Sequence, residues 1–106
     1  MSDPDGYQFG GQDENFAGLG HGHRTHYIKS WAPEFQAVLS GAKTFEARYN
    51  DRGYAVGDDL ILEEYNPVIG EYTGRTVLVH VTRLLKLDDL PNGPKRWVVM
   101  GIRVGP

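Results

Sequence analysis

Between Gly41 and Asp58 the chain reads GAKTFEARYNDRGYAVGD, with Lys43, Glu46 and Arg48 three and two residues apart. An ammonium, a carboxylate and a guanidinium offer three kinds of chemistry. A partly desolvated lysine gives up its proton more readily and acts as a base, or as a cation it binds a polarised carbonyl. A glutamate accepts from a base amino group, as Glu does with cytosine. A guanidinium stacks on a base or holds a phosphate. Each residue also has a plain structural role. Lys43 follows a helix C-terminus, where the macrodipole favours a cation. Glu46 and Arg48 share one strand face, where an exposed ion pair contributes under ~1 kcal/mol.

His26, Lys29 and Trp31 stand just before the helix, and Arg52 follows the strand. An aromatic beside basic groups is what single-strand recognition uses. Alternatively, His26 shares a face with Ile28 as a core histidine, and Trp31 is a hydrophobic staple on the helix start. Arg52 belongs to a turn, Asn50 to Gly53, from which it can reach a phosphate. His21, His23 and His26 form the run HGHRTH. Zinc needs three or four ligands held by structure. This run lies in a glycine-rich arm without cysteine, so the expectation is no metal and no cofactor. Walker, dinucleotide and nucleophile-elbow motifs are absent.

The elements that position these residues follow from pattern. THYIKS reads as a first strand. Pro33 sits at a helix start and Gly41 just past a helix end. Phe35, Val38 and Leu39 between them form one apolar face of a helix over 33–40. In TFEARY, Phe45, Ala47 and Tyr49 alternate with Thr44, Glu46 and Arg48. The apolar set is expected to face the core. DLILEEY, RTVLVHVTRLL and WVVMGIRV complete about five strands, with NPVIGEYTG a hairpin connection and KLDDLPNGPK a loop. Val77, Val79 and Val81 share one face, as do Val98, Met100, Ile102 and Val104. Short strands and close turns favour a small closed or nearly closed barrel, mainly β with one early helix.

The chain has 106 residues, enough for one domain. Residues 1–24 are glycine-rich and read as a flexible arm. They carry Asp3, Asp5, Asp13 and Glu14 against Arg24. Residues 25–106, the domain, hold ten acidic and ten basic side chains. A neutral domain lacks the field that drives non-specific nucleic-acid binding, but a local basic patch is compatible with it. Without cysteine there is no disulfide framework. No apolar run nears the roughly 20 residues that span a bilayer, and MSDPDGYQFGGQ lacks signal-peptide character. The expectation is a cytoplasmic protein with no membrane partner.

HYIKSW, PEFQAVLSGAKTFEARYNDRGYAVGD, LILEEYNP and YTGR, taken in order, resemble the ASCH group of the PUA-like superfamily. They are most similar to a small prokaryotic and viral branch of it, described only as a domain of unknown function. The likeness covers about residues 26–104. It implies a PUA-type β-barrel with the helix over one mouth, and a cleft lined by the helix-to-strand turn and the next strand. PUA-like domains commonly bind RNA, often at modified or unstacked bases. Some ASCH-like proteins are amidohydrolases that deacylate a modified cytidine. Those resemble this chain at Lys43 and Arg48, but carry threonine where it has Glu46. Their catalytic glutamate comes from a later strand, for which Glu63 and Glu64 are candidates.

The resulting expectation is an RNA or modified-nucleobase binding module. Its ligand-binding residues are His26, Lys29, Trp31, Lys43, Glu46, Arg48 and Arg52. The alternatives are an amidohydrolase of acylated nucleosides using Lys43 and Glu46, or a protein-interaction module using the aromatic arm.

Overall fold

A computed structural model describes residues 23–105. The arm expected over 1–24 lies outside them, His23 and Arg24 excepted. In order, the elements are β1 (Thr25–Trp31), α1 (Ala32–Ser40), β2 (Phe45–Tyr49), β3 (Asp59–Asn66), β4 (Glu71–Lys86), a 3-10 turn (Leu87–Asp89) and β5 (Trp97–Val104). No helix among these residues is long and apolar enough to cross a membrane.

One sheet holds all five strands in the order β1-β3-β4-β5-β2, curled into a half-barrel. β1 runs parallel to β3, and the other pairs are antiparallel. That parallel pair needs a crossover, and α1 with β2 provides it. The inner face carries Ile28, Leu60, Leu62, Val77, Val79, Val98 and Met100, all buried, with Phe35 and Val38 of α1 packed on them. Each such side chain contributes about 1.5–3 kcal/mol on burial. The inward sets expected for β4 and β5 are found, except that Val104 is exposed. Leu39, expected on the apolar face of α1, is exposed too.

Two features depart from the sequence reading. Among the described residues the sheet is open, since β1 and β2 each have one neighbour. Arginine side chains bridge the gap between these edges. Arg48 Nη2 donates to Lys29 O at 2.7 Å, and Arg52 Nη1 donates to Tyr27 O at 2.8 Å. Tyr27 and Lys29 are two residues apart, so their carbonyls point to the same free edge of β1. The second departure is β2, which is inverted. Glu46 is buried, while Phe45, Ala47 and Tyr49 face outward. The register explains this: Glu46 lies opposite Met100 and Arg48 opposite Val98. Directly opposed residues of an antiparallel pair share a face, so both charges look inward, toward the seam the arginines close.

Candidate functional site

At this seam a cleft of about 450 Å³ opens between the end of β1, the first turn of α1 and β2. Gly41 delivers Lys43 to it. With φ at 87°, the left-handed region where glycine alone is at ease, Gly41 ends α1 and donates to Val38 O. The Lys43 N–H then bonds Ala37 O at 3.0 Å. The Lys43 ammonium sits 2.8 Å from Glu34 Oε1 and 3.6 Å from Glu46 Oε1, with its side chain 13% exposed. This lysine holds the exposed Glu34 carboxyl below its ordinary pKa through a hydrogen bond and its charge.

Glu46 forms the floor. Its side chain is 4% exposed, and Oε2 accepts from Arg48 Nε at 2.9 Å. Among the described residues Oε1 has no hydrogen-bond partner, and neither has the buried Ser30 Oγ, which also lines the cleft. A buried carboxylate survives only when compensated, and Arg48 and Lys43 compensate it. Oε1 is left as an acceptor and Ser30 Oγ as a donor or acceptor. The rim adds an exposed indole, Trp31, and Lys29, whose ammonium lies 4.3 Å from the Tyr65 ring centroid. A flat ligand with an N–H edge finds both an acceptor below and aromatic and cationic groups around it.

Of the seven residues expected to bind a ligand, Lys29, Trp31, Lys43, Glu46 and Arg48 line this cleft. His26 and Arg52 do not. His26 is buried, its Nε2 2.8 Å from Asp58 Oδ2 and its ring edge-on to Tyr54 at 4.8 Å. An ionised carboxylate only accepts, so that nitrogen carries the hydrogen. Arg52 is 1% exposed and ties the turn to β1, which leaves no guanidinium to meet a phosphate. Glu63 and Glu64 are not cleft residues either; Glu64 Oε1 accepts from Thr73 Oγ1 at 2.6 Å.

Ser30, Glu34 and Tyr65 were missed. Ser30 alternates with His26 and Ile28, so a polar residue on the buried face of β1 was a readable signal. Glu34 and Tyr65 gave none, because only the crossover brings them beside β2. Asp58, which was not among the expected site residues, anchors the domain start. It accepts from the Arg24 and Ala55 amides, both at 3.0 Å, as well as from His26. Burial pushes the Asp58 carboxyl up, but these bonds outweigh it and hold the pKa below the ordinary value. Among the described residues no group of three or more His, Asp or Glu side chains could hold a metal. His21 lies outside them.

Sequence comparison finds a relative in Escherichia phage P2, an uncharacterized 12.9 kDa protein in the GpA 3' region. It is 42% identical over 66 residues, covering 62% of this chain and 59% of the phage protein. Its matched part is thus less than two-thirds of its own length. The profile of a domain of unknown function, DUF3850, matches residues 25–102. That span is most of the chain and takes in the cleft from Lys29 to Tyr65, and the chain belongs to the DUF3850 family.

Proposed function

We propose that the cleft binds a nucleobase, in RNA or a modified nucleoside, and that the domain is a binding module of the ASCH/PUA-like kind. The observation that carries this reading is Glu46 Oε1, an acceptor buried at the cleft floor without a hydrogen-bond partner among the described residues. Buried polar atoms are rarely left so, and the Lys43 ammonium at 3.6 Å stands beyond hydrogen-bond distance. A ligand N–H, such as a base amino group, satisfies it, while Trp31 and Lys29 border the plane of the ring. A volume near 450 Å³ is of the size that small-molecule sites take.

Calorimetry with a panel of plain and N-acylated nucleosides tests it. Binding of those that carry an amino edge is expected, weakened about tenfold in Glu46→Gln, whose amide oxygen still accepts but without the carboxylate charge. Absence of binding across the panel overturns the reading.

A second reading, hydrolysis of an acylated nucleoside, is favoured by one contact: Lys43 Nζ lies 3.6 Å from Glu46 Oε1. There water adds to the acyl carbon, the C–N bond breaks, and Lys43 and Glu46 exchange the protons of water and leaving amine. Product formation followed by mass, abolished in Lys43→Ala, supports it. Intact substrate after prolonged incubation excludes it.

A further inference from the structure

The inversion of β2 turns three side chains outward, and two of them, Phe45 and Tyr49, do not line the cleft. Phe45, Ala47 and Tyr49 lie opposite Gly101, Val99 and Trp97 of β5 on the outer face. Phe45 is 49%, Tyr49 36% and Trp97 40% exposed. The Tyr49 and Trp97 rings meet edge-to-face, centroids 6.0 Å apart. The Arg96 guanidinium lies 5.3 Å from the Tyr49 ring centroid. Arg96 reaches it from a left-handed backbone, φ 68°, which non-glycine residues avoid unless their surroundings impose it. The Asn50 amide, donating to Arg96 O at 2.7 Å, holds that conformation. Beside Trp97, a hollow of about 200 Å³ is lined by Asn50, Lys86, Asp88 and Arg96.

Charge is sorted the same way. Residues 83–104 carry Arg83, Lys86, Lys95, Arg96 and Arg103 against Asp88 and Asp89. Residues 25–82 carry eight acidic against five basic side chains. The positive surplus thus belongs to the segment that holds the end of β4 and all of β5. Arg83 pairs with Gly101, on the row that continues from Trp97. Gly101 and Ala47 keep the strip between the aromatic rings and Arg83 low.

We propose that this outer face of β2 and β5 is a stacking platform for single-stranded nucleic acid, separate from the cleft. A second copy is a poor occupant, because a two-fold pairing would set like-charged patches against each other. Single strands offer what the face lacks: phosphates for Arg83 and Arg96, and unpaired bases for Tyr49 and Trp97. A duplex hides the faces of its bases and fits less well.

The test uses the full chain with labelled single-stranded RNA and DNA of about ten nucleotides, a length matched to small single-strand sites, and the corresponding duplexes. Trp31→Phe isolates the Trp97 emission. Quenching of Trp97 by either strand, and affinity that falls as salt rises, are expected; RNA over DNA or the reverse identifies the natural strand. Tyr49→Ala and Trp97→Ala each weaken strand binding about tenfold or more, and Trp97→Phe retains it. Both positions are solvent-exposed, and circular dichroism verifies the fold. Arg83→Glu with Arg96→Glu, the cations at the face, provides a second reading through charge alone. No strand binding, preference for duplex, or a concentration-dependent dimer that Trp97→Ala dissolves overturns the platform. Nucleoside binding in the cleft is a separate readout. Its absence with strand binding intact overturns the cleft alone; its persistence in Trp97→Ala shows the sites distinct.

Discussion

Glu46 is a carboxylate withdrawn from water between two cations, and its neighbours decide what it tolerates. Arg48 bonds Oε2 and also spans the seam to Lys29 O. Arg48→Ala therefore removes a buried partner and a strand bridge together. A loss of about 3 kcal/mol is expected, because an uncompensated buried charge remains. Urea denaturation measures it. Adding Glu46→Gln removes that charge and recovers part of the loss; strict additivity of the two would contradict the coupling. Both residues were legible as a charged pair on one strand face from the spacing in KTFEARY. His26 and Arg52 were equally legible as polar residues but not as core ones. Their partners, Asp58 and Tyr27 O, lie 32 and 25 positions away.

At the scale of elements, local signals worked where geometry is local. Gly41 ended α1 as its position suggested, because only glycine takes φ near 87° without strain. A Cβ there would meet nothing within 4 Å. Gly41→Ala thus isolates the backbone cost, expected at about 1–2 kcal/mol, visible as a lower melting temperature. A melting temperature equal to that of the parent chain would show that the turn relaxes. The alternation of β2 was also legible, but not its sense. Apolar residues on one face normally mark the inside, yet β2 is an edge strand whose inner face meets a polar seam. β4 likewise runs longer than its apolar stretch, through a register shift between Val81 and Arg83, which alternation alone cannot carry.

For the whole molecule, Asp58 links the chain entry, the turn after β2 and the start of β1. Its folded pKa lies below the unfolded value of 3.8. The stability it adds is therefore fully present above that value and is lost as pH falls through it toward the lower folded pKa. Unfolding free energy should drop as pH is lowered below about 4. In Asp58→Asn, itself less stable, that drop should be shallower. Denaturation midpoints from pH 5 to 2 compare the two chains, and parallel curves would assign the acid response to other carboxylates.

By itself the sequence determined what depends on neighbours along the chain: five strands and one helix, the helix stop at Gly41, the valine row of β4, and the closeness of three charged side chains, Lys43, Glu46 and Arg48. Only the tertiary structure decided which face of β2 is inside, that β1 and β2 are joined by guanidinium groups instead of a ladder, and that Ser30 and Tyr65 complete the cleft. Periodicity reports that two faces differ. Which of them is buried depends on what the strand is placed against, and Met100 and Val98, about fifty residues downstream, set that placement through their register with Glu46 and Arg48.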